Sequence, residues 1–131
     1  MIEVQAGRVA LAVRSVDASL RFYVDVLGFR VEQLFDDPPY ATLANGSLRL
    51  SLTQAGSSVP DLEGFRLEAG AEHDSSPAMV VLEVRNARAS WQQLADAGVT
   101  TRSEPWEPPW GGCRFFVSDP DGYLVEVEQV G

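Results

Sequence analysis

Side chains that can carry acid–base, nucleophilic or metal chemistry are scarce in this sequence. The chain has one histidine, His73, one cysteine, Cys113, and ten basic residues that are all arginine. Without lysine there is no Schiff-base chemistry, and one histidine cannot supply a multi-histidine metal site within one chain. His73 stands between two acids and is expected in solvent. Cys113 has no histidine near it in the sequence, which favours a buried packing residue over a nucleophile.

The most unusual stretch, residues 104–112, combines aromatic and acidic residues. Trp106 and Trp110, named the indole pair, stand among prolines beside Glu104 and Glu107. Indole rings offer broad apolar faces that lose little entropy when a ligand binds. With carboxylates beside them, they suit a cationic, partly planar ligand through stacking and cation–π contacts. The alternative is that the two indoles close the end of a sheet.

The first half of the chain predicts the order β-α-β-β-β. A strand over residues 9–13 is followed by a helix over residues 18–27, with cap residues available in Ser15-Val16-Asp17 and Gly28 as its stop. Three strands follow, over residues 29–35, 40–44 and 47–53. Asn45-Gly46 between the last two is a tight hairpin signal.

The second half repeats this order, so the chain consists of two copies of one module. A strand over residues 79–84 precedes a helix capped by Asn86 and ended by Gly98, and strands follow over residues 99–103, 113–117 and 123–129. The modules cover residues 1–54 and 78–131. Residues 55–77, rich in glycine, serine, proline and acids, form a linker within one structural domain, in which Phe65 and Leu67 could pack as a short strand.

Alternation along the predicted strands indicates which side chains lie opposite the helix of each module. In the strand over residues 47–53, three leucines face the helix, while Arg49, Ser51 and Thr53 face away. In the last strand, Glu126 faces away. The open faces therefore mix charged, polar and apolar side chains, which suits a small-molecule site better than a protein core.

Two motifs resemble the vicinal oxygen chelate superfamily, which includes glyoxalase I, the bleomycin-resistance proteins and extradiol dioxygenases. They are Ser-Leu-Arg-Phe-Tyr at residues 19–23 with Val-Leu-Gly-Phe at 26–29, and Phe-Val-Ser-Asp-Pro-Asp-Gly-Tyr-Leu-Val-Glu at 116–126. The resemblance implies an α+β fold in which two βαβββ modules form curved mixed sheets around an open cup.

The resemblance also implies where a metal would bind: on the open face, at the first and last strands of each module. Arg8 and Met79 hold the first-strand positions; Ser51, or Arg49 if the register slips by two, and Glu126 hold the last-strand positions. Only Glu126 is a competent ligand, because Arg does not deprotonate in proteins and Met is a soft thioether. We therefore expect no metal and no other cofactor. Glu126 could instead pair with an arginine, for which Arg8 is the candidate, contact a ligand or act as a general base.

The expected function is metal-independent binding and sequestration of an antibiotic or natural product, of the bleomycin-resistance type, by a binding protein rather than an enzyme. Three alternatives stay open: a metal-dependent glyoxalase-like lyase or dioxygenase, a metal-free isomerase using Glu126 as base, and an accessory protein that binds a peptide or carrier domain. The predicted ligand-binding residues are Arg8, Phe35, Tyr40, Arg49, Ser51, Met79, Trp106, Trp110 and Glu126.

Charge and composition restrict the partners. The chain has 19 acidic and 10 basic residues and a formal net charge of -9, which disfavours nucleic acid and anionic membranes. No apolar run approaches the ~20 residues of a membrane span, and one cysteine fits the reducing cytoplasm. We expect a small-molecule ligand, cationic or planar aromatic, and a homodimer. The resemblance implies pairing, and pairing would cover exposed sheet edges.

Overall fold

The computed structural model describes residues 1–131. The chain divides into two compact units, Met1–Gly70 (unit 1) and Ala71–Gly131 (unit 2). Both units combine small helices with curved mixed sheets, so the predicted α+β fold class is confirmed. No helix is long and apolar enough to cross a membrane.

Unit 1 is built on a four-stranded mixed sheet with the order β1-β4-β3-β2. Strand β1 is parallel to β4, and the other neighbours are antiparallel. Gly46, with φ 58°, opens the two-residue turn between β3 and β4, where glycine relieves the cost of positive φ. All four strands were predicted to within a residue at each end. They are β1 (Val9–Val13), β2 (Arg30–Asp36), β3 (Pro39–Asn45) and β4 (Leu48–Gln54).

The helical segment of unit 1 starts earlier than predicted and changes its winding. Helix α1 (Val16–Leu20) continues as a π-helical stretch, Arg21–Val26, in which the Leu27 N–H donates to the Phe22 carbonyl at 3.0 Å. The Ser15 side chain caps α1 by accepting from the Ala18 N–H at 3.1 Å. The cap lies within the predicted segment Ser15-Val16-Asp17, and a serine before a helix satisfies one of its free N–H groups. The π-helical stretch was not predicted.

One face of the unit 1 sheet packs against α1, and the opposite face is named the open face as in the sequence prediction. On the covered face, Leu43, Leu50 and Leu52 are buried beneath α1. On the other face, Thr42 lies opposite Ser51 in the β3–β4 ladder. The leucines and Ser51 therefore lie on the predicted opposite faces, although Thr42 and Ser51 are also buried, at 2% and 1% exposed.

The predicted linker, residues 55–77, contains structure of its own. Strands β5 (Ser57–Ser58) and β6 (Arg66–Leu67) form a two-stranded antiparallel sheet. Leu67 is in this sheet, as expected, whereas Phe65 lies just before it and is exposed.

Unit 2 has a three-stranded sheet with the order β7-β9-β8, in which β7 is parallel to β9 and β8 is antiparallel to it. Asn86 caps the helix, with its Oδ1 accepting from the Ala89 N–H at 3.0 Å. Gly98, with φ 80°, ends the helix. The Gly98 N–H donates to the Ala95 carbonyl and the Val99 N–H donates to the Leu94 carbonyl, which is the Schellman pattern. The elements are β7 (Met79–Glu83), α2 (Ala87–Asp96), β8 (Cys113–Ser118) and β9 (Leu124–Gln129).

The predicted strand over residues 99–103 is wrong, so unit 2 lacks the fourth strand of the βαβββ order. This segment runs beside β8 but bonds to it irregularly. The Arg102 N–H donates to the Phe116 carbonyl at 2.7 Å, yet the Phe116 N–H donates to the Ser103 hydroxyl instead of a backbone carbonyl. Pro105 then has no N–H to offer. A regular ladder with β8 therefore does not form at Ser103 and Pro105.

Candidate ligand-binding faces

The open face of unit 1 carries a hydrogen-bonded group of three side chains, named the Arg8 cluster: Arg8, Tyr40 and Ser51. Arg8 precedes β1, while Tyr40 and Ser51 lie on β3 and β4. The Arg8 Nε donates to Ser51 Oγ at 2.6 Å, and its Nη2 donates to Tyr40 Oη at 3.3 Å. The Tyr40 hydroxyl donates to Ser51 Oγ at 3.1 Å. Three of the predicted site residues are thus in direct contact.

The Arg8 cluster changes the acidity of its phenol. Burial raises the pKa of Tyr40, but hydrogen bonds with Ser51 and Arg8 and the positive charge of Arg8 lower it further, so its pKa is below the ordinary 10.0. The phenolate form is favoured because both neighbours stabilise negative charge on Oη. Tyr40 is consequently a better proton donor than an unperturbed tyrosine.

The two alternative last-strand positions of unit 1 have different partners. Ser51 is 1% exposed and belongs to the Arg8 cluster. Arg49 instead forms an ion pair with Glu32, with 3.0 Å between Nε and Oε1. Phe35 is half exposed, with its ring 6.0 Å from that of Tyr40. The predicted unit 1 residues therefore split into the Arg8 cluster with Phe35 beside it, and the separate Arg49 pair.

In unit 2 the indole pair is arranged around an arginine. The two rings meet edge to face with centroids 5.7 Å apart. The Arg114 guanidinium carbon lies 5.1 Å from the centroid of Trp106 and 5.6 Å from that of Trp110. It also lies 5.2 Å from the centroid of Phe116. One cation thus contacts three aromatic rings, each within the usual cation–π distance.

The backbone fixes this arrangement. Trp106 and Arg114 exchange two backbone hydrogen bonds of 2.9 Å, which hold the loop against β8. Arg114 and Phe116 are two residues apart on β8 and so share its open face. Glu126 is opposite Phe116 in the ladder with β9, and its carboxylate lies 3.7 Å from Arg114 Nη1.

Sequence reasoning missed Arg114. The signal available was a charged residue in an otherwise apolar predicted strand, where alternation places it on the same face as Phe116. The expected arginine partner of Glu126 exists, but within unit 2 that partner is Arg114 rather than the candidate Arg8.

Glu126 is a buried carboxyl with a perturbed proton affinity. It is 5% exposed. Burial raises the pKa of Glu126, as do a hydrogen bond with Glu128 and the negative charge of that neighbour, while Arg114 opposes the rise. The net pKa is above the ordinary 4.5. This is the direction that desolvation and a like charge produce together.

Much of the surface of the indole pair is accessible, since Trp110 is 73% and Trp106 46% exposed. The predicted site residue Met79 lies on β7 and is 45% exposed. A cavity of about 160 Å³ is lined by Trp110, Arg114 and Glu128, among others. The acid Glu107 pairs with Arg88 at 3.3 Å, so its charge is already partly balanced.

The residues present do not fit the metal that the resemblance implies. In unit 1, Arg8 brings a permanent positive charge against Ser51. In unit 2, Met79 offers only a thioether and Glu126 is already paired with Arg114. No group of three or more His, Cys, Asp and Glu side chains could hold an ion. The only hard-metal ligand among these four positions is thus Glu126.

Comparison with known proteins shows the family of the chain. Residues 5–127 match the family described as "Glyoxalase/Bleomycin resistance protein/Dioxygenase superfamily". The chain belongs to this superfamily. The match covers both units and all the residues of the two faces, so the resemblance seen in the motifs at residues 19–29 and 116–126 is confirmed at the superfamily level.

Individual relatives carry different names. A lactoylglutathione lyase of Haemophilus influenzae is 29% identical over 121 residues, which cover 88% of this chain and 85% of that protein. The structure of a lactoylglutathione lyase from Agrobacterium tumefaciens has a TM-score of 0.75 at 17% identity, covering 97% and 95% of the two chains. A glyoxalase/bleomycin resistance protein/dioxygenase from Nocardioides has a TM-score of 0.74 at 20% identity, covering 99% and 86%. The structural matches establish a common fold.

Proposed function

We propose that this protein binds a small molecule, an antibiotic or related natural product, without a metal and without changing it chemically, in the manner of the bleomycin-resistance branch. The observation that carries the proposal is the accessible surface of the indole pair, 73% exposed at Trp110 and 46% at Trp106, on rings that pack against Arg114. Rigid, accessible aromatic surface is costly to leave in water and gives a strong contact to a planar ligand. Metal independence is supported by the poor fit of Arg8 and Met79 to an ion.

The arrangement favours a planar aromatic ligand over a cationic one. The indole faces were expected to attract a cation, but the Arg114 guanidinium already lies against both rings and that of Phe116. A second cation there would be repelled by it. A neutral or electron-rich ring can stack on the remaining exposed area and contact the Arg114 edge, because arginine also stacks on aromatic planes.

The test is a tryptophan-fluorescence titration of metal-stripped protein against a panel of planar natural products. We expect saturable quenching at one ligand per chain, with binding lost in Trp110→Ala. Trp91→Phe is the matched control, since Trp91 lies on α2 and donates its indole N–H to Thr101. Quenching that survives in Trp110→Ala, or disappears equally in Trp91→Phe, would contradict the proposed location.

A second candidate is a metal-dependent lyase, favoured by the relative named lactoylglutathione lyase. Divalent metal added to metal-stripped protein should then produce turnover in a lactoylglutathione assay. We expect none, because only one of the four family ligand positions holds a competent side chain. Activity that follows metal content would overturn the binding proposal.

A third candidate is metal-free isomerisation with Glu126 as general base, favoured by the raised pKa of this buried carboxyl, since a base of that kind works closer to neutral pH. If a panel ligand is converted, Glu126→Gln should abolish turnover and leave binding intact. Under the binding proposal, the ligand is recovered unchanged from both proteins.

We also propose a cytoplasmic homodimer. Strand β2 is an edge strand of the unit 1 sheet, and every one of its residues is exposed, including the apolar Leu34 at 55%. Pairing would cover such an edge, and a free buried Cys113 suits a reducing compartment. Sedimentation should give twice the 14.3 kDa chain mass. Leu34→Glu should lower it, whereas Leu62→Glu, at an equally exposed loop position, should not.

A further inference from the structure

The Arg8 cluster takes no part in the stacking that the proposed function assigns to unit 2. We propose that Arg8, Tyr40 and Ser51 form an oxyanion site, which binds the carboxylate of a small molecule on the open face of unit 1. The inference goes beyond the proposed function and depends on other residues.

The hydrogen bonds within the Arg8 cluster determine which donors are left for a ligand. Ser51 Oγ accepts from Arg8 Nε and from the Tyr40 hydroxyl. These two bonds use both lone pairs of the hydroxyl oxygen, and Ser51 is only 1% exposed, so Ser51 anchors Arg8 and Tyr40 and does not itself face a ligand. The guanidinium has five N–H donors, of which two serve Ser51 and Tyr40. The cluster therefore presents the remaining guanidinium N–H donors of an arginine held in place by Ser51 and Tyr40, and it takes an acceptor.

The charge of the cluster selects an anionic acceptor. None of the ion pairs of unit 1 involves Arg8, whereas Arg49 on the same sheet is paired with Glu32. Arg8 is exposed, while Ser51 beneath it is buried. An unpaired guanidinium above a buried hydroxyl thus supplies positive charge, in a chain whose net charge is -9.

The geometry points to a carboxylate in particular. A guanidinium edge matches the two oxygens of a carboxylate, and its single charge balances a carboxylate completely. A dianionic phosphate would leave one negative charge unbalanced. The lowered pKa of Tyr40 is consistent with this assignment, because the groups that stabilise its phenolate would equally stabilise a bound oxyanion.

The experiment is an NMR titration of the full isotope-labelled chain with benzoate, using benzamide as its neutral isostere. We expect saturable shifts at β1, β3 and β4, and benzoate binding at least about tenfold tighter than benzamide, since the charge-assisted bonds are lost with the amide. Arg8→Met should weaken benzoate binding by a similar factor. Arg66→Met, on the exposed strand β6, makes the same change in net charge and should have no effect.

Three results would overturn the inference: equal binding of benzoate and benzamide, equal effects of the two arginine variants, or no saturable shift with benzoate. Inorganic phosphate binding more tightly than benzoate at these amides would contradict the choice of a carboxylate. If Arg8→Met fails to fold, Ser51→Ala and Tyr40→Phe test the same contacts. Trp110→Ala should leave the benzoate-induced shifts at β1, β3 and β4 unchanged, whatever it does to ligand binding at the indole pair, so this proposal can fail while the proposed function stands, and the reverse.

Discussion

Removing the Arg114 side chain tests the central contact of unit 2. In Arg114→Met, Glu126 keeps its burial but loses its cation, and a buried pair broken on one side costs about 3–5 kcal/mol. Arg114 is 30% exposed and its Nη1 is 3.7 Å from the carboxylate, so the lower end applies. Lost cation–π contacts add about 0.5–1 kcal/mol at such a site, and the methionine side chain restores part of the packing. We expect a loss of about 3 kcal/mol in the free energy of unfolding at neutral pH.

The pH dependence of that loss follows from Glu126. Arg114 opposes the rise in the Glu126 pKa, so the folded-state pKa is higher in the variant than in the wild type. A raised carboxyl pKa favours the folded state only while the carboxyl is protonated, and this contribution disappears as pH rises through the folded pKa. The destabilisation should therefore be small below the unfolded value of 4.5 and grow as the pH rises toward neutral.

The assay is urea denaturation followed by far-UV circular dichroism, at about pH 4 and at about pH 7. The comparison includes Arg114→Met, Glu126→Gln and the double variant. Glu126→Gln in the Arg114→Met background should restore most of the lost stability at neutral pH, because the unpaired charge is gone. Arg88→Met, which breaks the exposed pair with Glu107, should cost only about 0–1 kcal/mol. A loss in Arg114→Met that does not change with pH, or that Glu126→Gln fails to restore, would refute the reasoning.

Three further variants test single contacts. Arg8→Met should raise the pKa of Tyr40, because the hydrogen bond and the positive charge of Arg8, both of which lower it, are lost; ultraviolet titration of the phenol measures this. Gly122→Ala should cost at least about 1–3 kcal/mol, since φ is 95° and a Cβ would lie 2.7 Å from the Glu72 carbonyl oxygen; urea unfolding measures it, and a change within error would contradict the argument. Asn86→Ala should cost about 1 kcal/mol by loss of the α2 cap, with Asn86→Asp, which keeps the acceptor, as the control.

The features of the fold that were predicted correctly depend on residues close together in the sequence. The caps Ser15 and Asn86 and the stops Gly28 and Gly98 act within one turn of their helices, so their residue types report the backbone directly. The opposite faces of the leucines and Ser51 on β4 were also predicted, because extended backbone places successive side chains on opposite faces of a sheet.

The incorrect strand over residues 99–103 depended on contacts beyond the segment itself. Whether this segment forms a ladder with β8 is decided by the Ser103 hydroxyl, which takes the Phe116 N–H, and by Pro105. Strand propensity cannot register such a competition between a side chain and a backbone carbonyl.

The Arg114 contacts were missed for a similar reason. The sequence suggested the indole pair and Glu126 as site residues but treated them separately. Only the β8–β9 register and the two backbone bonds of Trp106 bring them to one guanidinium. Long arginine side chains reach partners that strand position alone does not identify.

In both units, an arginine lies against the side chain at the position where the superfamily resemblance implies a last-strand metal ligand. In unit 1 that position is Ser51, 1% exposed and bonded to Arg8 at 2.6 Å. In unit 2 it is Glu126, 5% exposed and 3.7 Å from Arg114. A buried polar group needs a partner, and in each unit that partner is the guanidinium of an arginine of the same unit. Because arginine remains charged at any ordinary pH, such a cation cannot be lost by dilution or chelation. A single substitution such as Ser51→Glu should therefore create another arginine–carboxylate pair rather than a metal site, and metal affinity should appear only after Arg8 is also replaced.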